Sequence, residues 1–328
     1  KLRKTPNIQT KYPSIEFLEE KARKRIPDIS WDYLVGGGIQ ETGLLRNRES
    51  FSRYTLTPRY LTKARFEPST KKILLGHEFD CPFGVAPIGL NGLIWPRSGE
   101  YLSVSAERHN LPFCLSLFAT TSMETIAKLC GESHRWFQHY PQNSREIDRA
   151  ILHRAVDSGY QTLVLTIDVP ITRKVRELRR GLSLPLKLGP KTLWDVVKRP
   201  SWALASIRAG IPRFENWIPH LPDNYSARQM PQFLTDLPIL PHQTLVEDLV
   251  WFRDNWRGRL IVKGILHHTD ASKCREIGVD AIVVSNHGGR QLDHGLGTMQ
   301  MLPGIIDAVG GKADVVVDGG VQRGSDAI

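Results

Sequence analysis

The 328-residue sequence predicts an α/β fold, specifically a TIM (β/α)8 barrel, and three observations predict it. Short apolar runs recur along the chain, amphipathic stretches long enough for helices separate them, and no G-x-G-x-x-G follows the first run, which disfavours an open dinucleotide-binding sheet. The runs are 82–86 (PFGVA), 111–116 (LPFCLS), 135–138 (RWFQ), 162–167 (TLVLTI), 259–263 (RLIVK), 281–285 (AIVVS) and 314–318 (DVVVD). Most are continuously apolar rather than alternating, the pattern of strands buried on both faces, and therefore of a parallel sheet.

Between the runs, the spacing predicts helices over 145–158 and 270–277, ended by Gly159 and Gly278, residues suited to a left-handed C-cap. Two short helices, 14–25 and around 31–35, precede the first strand. Seven β/α beats fit. An eighth is absent from this chain, which ends at Ile328 inside the expected seventh helix, so residues 1–328 read as a single domain lacking its last unit. Residues 173–242, after the fourth strand, break the beat. They are long and rich in Pro and Trp, and read as an inserted, irregular loop region with a functional role or disorder.

Composition is that of a soluble globular protein, 41% hydrophobic and 24% charged, which excludes collagen-like, disordered and integral membrane classes. The start is basic and polar, with no apolar stretch of a signal peptide, and the longest uncharged segment, 81–96, is broken by Gly and Pro. Cys81, Cys114, Cys130 and Cys274 are widely spaced, with no C-x-x-C and no metal-ligand spacing, so reduced thiols, no metal and a cytoplasmic location are expected.

The formal charge is +10, and residues 171–220 carry eleven Lys or Arg against Glu177, Asp195 and Glu215, a net +8. A charge run is commonly a solvated face. This one interleaves Leu182, Leu184, Leu186, Trp194, Trp202, Phe214 and Trp217, the composition of an interfacial anchor, so residues 173–220 are predicted to bind an anionic membrane surface, with the protein peripheral on the inner face of the membrane. No nucleic-acid motif accompanies the charge, and no nucleic-acid partner is expected.

Active sites of such barrels form where strands end. After 281–285 comes Asn286-His287-Gly288-Gly289-Arg290-Gln291-Leu292-Asp293, placing a base and a guanidinium three residues apart. Such a pair suits a 2-hydroxy acid, since the imidazole can take a proton while the guanidinium grips a carboxylate. Histidine and arginine are also common on ordinary surface loops. Asp168 follows the fourth run and can orient an imidazole, and Lys263 ends the fifth and can face developing negative charge. A strand-end turn and a solvated lysine are their plainer readings. Asp318-Gly319-Gly320-Val321-Gln322-Arg323-Gly324 is a glycine-rich turn opening a helix, suited to a phosphate.

The run S-N-H-G-G-R-Q-L-D, with W-D-Y-L-V-G-G-G, A-P-I-G-L-N-G, F-Q-H-Y, L-T-I-D-V-P, V-K-G and D-G-G-V-Q-R-G in the same order, resembles the FMN-dependent α-hydroxy-acid oxidase and dehydrogenase family along essentially the whole chain. Its 86–96 and 199–212 segments are most similar to the mandelate-oxidising branch. The resemblance implies that an L-2-hydroxy acid, mandelate-like or lactate-like, is oxidised to the 2-keto acid, with electrons passed from FMN to a quinone-type acceptor. It further implies His287 as base, Asp168 as its partner, Arg290 as carboxylate clamp, and Tyr33 and Tyr140 as substrate contacts. For FMN it implies Pro87, Ile88 and Gly89 at the ring edge; Ser116, Gln138, Thr166 and Ser285 by side chain; Lys263 beside the ring; and Asp318, Gly319, Gly320 and Arg323 toward ribityl and phosphate. A homotetramer is also implied.

Three departures from the family pattern stand out. Its second substrate arginine falls on Val175, so Lys174 or Arg176 has to serve. Gln322 stands where the phosphate turn usually has Arg, and the last phosphate-binding element is absent from this chain. Phe118 reads first as barrel-mouth packing, and an apolar wall there would also suit a bulky 2-hydroxy acid. Gly89 resembles the dehydrogenase branch rather than the oxidases. An O₂-using soluble oxidase and a flavin-free barrel binding a phosphorylated ligand are the alternative readings.

Overall fold

In the computed structural model, residues 8–61, 67–169, 174–182, 189–221, 226 and 244–328 are described. Six parallel strands pair in chain order: β3 (Phe113–Ser116), β4 (Arg135–His139), β5 (Thr162–Thr166), β6 (Arg259–Ile265), β7 (Ala281–Val284) and β8 (Asp314–Val317). A separate antiparallel hairpin, β1 (Lys72–Leu74) with β2 (His77–Phe79), precedes them. Every residue of β3, β4, β5 and β7 is buried, as continuous apolar runs require of a parallel sheet covered on both faces.

Side chains alternate across each strand, so the register sorts them into two faces. One face carries Phe113, Leu115, Phe137, Leu163, Leu165, Leu260, Val262, Ile282 and Val284 against helices that contribute Ile151, Leu152, Ala271, Cys274, Ile305 and Val309. The other carries Cys114, Trp136, Val164, Ile261 and Val283, which cluster with Phe79 of the hairpin. Two residues further along, that second face continues as Ser116, Gln138, Thr166, Lys263 and Ser285. The polar side chains are thus carried on the apolar plug, at the C-terminal ends of the strands.

Two expectations need correction. Residues 82–86 do not form a strand: Val85 alone bridges Phe113, its N–H donating to Pro112 O at 2.8 Å and its carbonyl accepting from Cys114 N at 2.9 Å. Pro82 and Pro87 have no N–H to give a ladder, and 82–84 are exposed. Closure into a ring of eight is not seen among the described residues, where the sheet has edges at Val85 and β8.

The insertion is less irregular than its composition suggested. Within it lie helices Val175–Arg179, Pro190–Val197 and Pro200–Ala209 and a 3₁₀ turn, Ile218–His220. Gly189-Pro190 and Arg199-Pro200 each put proline in the first helical turn, where its missing N–H costs nothing, so here proline starts helices. Trp202 packs with Ile26 and Leu93 and donates its indole N–H to Ile94 O at 3.1 Å, and Asp195 accepts from Asp28 N at 2.5 Å. Leu184 and Leu186 lie outside the described residues. The expected helices 14–25, 145–158 and 270–277 appear as Ile15–Arg25, Arg145–Asp157 and His268–Ile277. All four cysteines are free.

Candidate active site

The ends of the six parallel strands converge with the loop after β7. His287 follows β7 in a tight turn where it, Gly288 and Gly289 all take left-handed conformations, with φ of 57°, 64° and 71°. A non-glycine residue there is strained, and the turn is held by its surroundings. Asn286 and Asn47 exchange reciprocal amide hydrogen bonds, both 2.8 Å, and Asn286 Oδ1 also accepts from Gly289 N at 3.0 Å. Buried Asp293 closes the loop against the helix Thr42–Ser52, accepting from Gln40 N at 2.7 Å and Gly43 N at 3.0 Å.

His287 Nδ1 lies 2.8 Å from Asp168 Oδ1. An ionised carboxylate only accepts, so Nδ1 carries the hydrogen and Nε2 is left as the basic nitrogen. Burial opposes ionisation of Asp168, but Lys263 and His287 outweigh it and hold the carboxyl below its ordinary value. Room for this carboxylate comes from β6. Gly264 sits at a register shift with φ 108°, and a Cβ there would lie 2.5 Å from Asp168 Cβ, so the glycine after Lys263 is a steric requirement of the His–Asp pair.

Lys263 is buried, 2.6 Å from Ser285 Oγ and 2.9 Å from Asp318 Oδ2. Burial alone would lower its pKa, yet Asp318 and Asp168 raise it, so the ammonium stays charged. Ser116 Oγ donates to Gln138 Oε1 at 2.8 Å. Gln138 Nε2, Thr166 Oγ1, Asp168 Oδ2 and Asp318 Oδ1 are buried and have no hydrogen-bond partner among the described residues. Several orphaned polar atoms on one face, around one buried cation, are costly unless a polar planar ligand satisfies them, and they fit a flavin ring.

Tyr33 donates its hydroxyl to Gly89 O at 2.6 Å, and burial pushes its pKa up to about 12. The Tyr140 ring lies tilted at 5.3 Å from Phe118 and 6.4 Å from His287, the pKa of its phenol also raised by burial. Phe118 further meets Phe214 at 5.4 Å and Trp217 at 6.5 Å. Arg290 lies over the Tyr33 ring and donates from Nη1 to Tyr33 O at 2.9 Å and Gly36 O at 2.5 Å, and from Nη2 to Glu177 Oε1 at 2.5 Å.

The structure thus brings together Tyr33, Gly89, Ser116, Gln138, Tyr140, Thr166, Asp168, Lys263, Ser285, His287, Arg290 and Asp318. Pro87 and Ile88 lie on the stretch leading to Gly89, and Gly319 and Gly320 pack on Asn47. Arg323 is not brought in. It is exposed and reaches outward to Glu16, because Asp326 takes the backbone N–H groups of Gln322 and Arg323 and turns the side chain away. Of the two substitute cations, Arg176 pairs with Glu41 at 2.5 Å, whereas Lys174 is half-buried, its pKa lowered by burial and by Arg290 against the pull of Glu177.

The profile of the FMN-dependent dehydrogenase family matches residues 22–328. The chain belongs to this family. It is 33% identical over 316 residues to (S)-mandelate dehydrogenase of Pseudomonas putida, covering 96% of this chain and 78% of that protein, and 35% identical over 311 residues to L-lactate dehydrogenase of Caulobacter sp. (strain K31), covering 94% and 80%. A crystal structure of the monotopic membrane protein (S)-mandelate dehydrogenase superposes with a TM-score of 0.88 at 33% identity, over 95% of this chain and 82% of that one. A mandelate oxidase structure superposes at 0.77 with 28% identity, covering 96% and 80%. This family member is an FMN-dependent 2-hydroxy-acid dehydrogenase, an oxidoreductase, and FMN is its cofactor.

Sequence reasoning missed the supporting residues. Asn47 lies 239 positions from Asn286, and no local pattern links them. Asn216, fully buried, accepts from Met123 N at 2.8 Å and donates to Ser116 O and Thr121 O, both 3.2 Å, tying the insertion to the end of β3. Glu177 was visible only as one acid in a basic run.

Proposed function

We propose that this protein oxidises bulky, aromatic L-2-hydroxy acids of the mandelate type to 2-keto acids and hands the electrons to a quinone at a membrane surface. The His287–Asp168 pair carries the reading. Asp168 fixes the imidazole with Nε2 free to take the substrate's proton, and its negative charge stabilises the imidazolium that results. Arg290 grips the substrate carboxylate with Lys174 as second cation, and Tyr33 and Tyr140 flank them. The Phe118, Tyr140, Phe214 and Trp217 rings give the substrate side chain an apolar wall. Bound FMN supplies the two-electron acceptor, and Gln138, Thr166, Lys263, Ser285 and Asp318 are the residues that hold it, Lys263 opposite developing negative charge. Pro87, Ile88, Gly89 and Ser116 complete the ring cradle, and Gly319 and Gly320 let backbone approach the phosphate end. The parallel sheet with its Val85 bridge is read as an arc of a TIM barrel.

The membrane reading rests on a separate observation. Leu193, Trp194, Val197, Leu204, Ile207 and Ile211 are all exposed on the two insertion helices and the turn after them, beside Lys191, Lys198, Arg208 and Arg213. No described helix is long and apolar enough to cross a bilayer. Such a patch exceeds what scattered surface residues explain and suits interfacial binding on the cytoplasmic face. Anaerobic mixing with (S)-mandelate should bleach the flavin absorbance near 450 nm faster than glycolate does. A quinone analogue should restore it faster than O₂; equal reoxidation by O₂ would favour an oxidase, and no bleaching by any 2-hydroxy acid would remove the reading.

A further inference from the structure

Resting on that reading, we propose that Glu177 is a specificity-determining residue, whose carboxylate occupies the free end of the Arg290 guanidinium and sets the charge of the carboxylate subsite to suit a monoanion. Arg290 has little freedom. Its Nη1 is committed to the carbonyls of Tyr33 and Gly36, so a bidentate grip has only the Nε/Nη2 edge left, and Nη2 is 2.5 Å from Glu177 Oε1. Glu177 is largely buried, with 12% of its side chain exposed, so its charge is poorly screened.

The charges around this point are countable among the described residues. Lys174 and Arg290 are cationic and Glu177 anionic, which leaves +1. Neighbouring charges face partners of opposite sign: Arg176 meets Glu41, Arg23 and Arg180 meet Asp28 and Asp32, and Asp168 faces Lys263 beside the neutral His287. A substrate monocarboxylate brings the cluster to neutrality, either sharing Nη2 with Glu177 or displacing it toward Lys174. A dianion leaves an uncompensated negative charge beside Glu177 in a partly desolvated place, which is unfavourable. Glu177 acts through Arg290 and does not take part in the oxidation.

Oxalate and oxamate test this directly, being a dianion and a monoanion of nearly one shape. Their dissociation constants are measured by calorimetry on the flavin-loaded protein and on Glu177→Gln and Glu177→Asp variants. In the wild type oxamate should bind; Glu177→Gln should tighten oxalate by about tenfold or more, and more than it tightens oxamate, as expected for removing one nearby charge. Glu177→Asp, which keeps the charge, should retain the wild-type preference. An unchanged oxalate-to-oxamate ratio in Glu177→Gln, or weaker binding of both, overturns the proposal and makes Glu177 a plain structural partner of Arg290. Failure of the wild type to bind either anion overturns the 2-hydroxy-acid reading, and this proposal with it.

Discussion

The strand-end site and the inserted segment are built on opposite rules. At the strand ends, polar groups are buried: Lys263 and Asp318 pair at 2.9 Å, His287 and Asp168 at 2.8 Å, with Gln138, Thr166 and Ser285 around them. On the insertion, apolar groups are exposed. Ile207 and Ile211 are each 79% accessible and Trp194 62%, although Trp202 and Trp217 of the same segment are buried. Buried polar groups suit a ligand that completes their hydrogen bonds, and exposed apolar groups are what the proposed membrane contact would take out of water. On the proposed reading, one chain carries two binding surfaces, separable by mutation because few side chains serve both. The two regions meet where Phe214 and Trp217 reach from the insertion to Phe118, Asn216 to Ser116 O and Glu177 to Arg290.

The sharpest way to break this division is at its chemical end. His287→Ala removes the base while leaving Lys263, Ser285, Gln138 and Asp318 in place. The flavin spectrum should survive, and flavin reduction by mandelate should slow by roughly 10²-fold or more, the usual worth of a general base. Stopped-flow absorbance measures it. A near-normal rate would show that another group takes the proton, and would also leave Asp168 without a role.

How much of this was legible in the sequence depends on range. The parallel strands were visible because burial on both faces leaves uninterrupted apolar runs, and the chemistry was visible because polar residues stop those runs at Ser116, Asp168, Lys263 and Ser285. The run at 82–86 reads as a strand by its apolar character, but Pro82 within it and Pro87 after it have no N–H to give a ladder. Long-range ties were invisible: Asn47 to Asn286, Asn216 to the end of β3, and Glu177 to Arg290 each depend on the fold to bring distant positions together. Arg323 is the reverse case, a motif residue whose side chain reaches outward to Glu16. Prolines at 190 and 200 read in the sequence as loop composition, yet each begins a helix.

A milder break is possible at the other surface. Replacing Trp194, Ile207 and Ile211 together with Ser leaves every residue of the His–Asp site and the flavin cradle untouched. Sedimentation with anionic vesicles should fall severalfold, and the salt-resistant part of binding should go first, because the remaining lysines and arginines contribute only about 1 kcal/mol each near an anionic surface and are screened. Mandelate-driven flavin reduction should be unchanged. Full vesicle binding by the triple variant would return the basic segment to a solvated face, and loss of reduction would show that the two surfaces are coupled.

The smallest expected effect falls on the seam between them. His220 ends the 3₁₀ turn behind Trp217, and burial, helped by Arg154 and His139, lowers its pKa to about 4. Its unfolded value is near 6.5. Between those values the unfolded chain takes a proton that the folded chain refuses, so stability rises with pH across this window: the contribution of neutral His220 is fully present above about 6.5 and is lost as pH falls toward about 4. His220→Gln, neutral at every pH, should flatten the slope of Tm against pH between 6.5 and 4 and leave Tm at pH 8 nearly unchanged. Because the ring is only partly buried, the change should be a few degrees rather than a collapse. Thermal melts of both proteins across that range decide it. An identical slope in the variant would mean that His220 reaches water in the folded state and that the Trp217 seam does not hold the insertion against the sheet in acid.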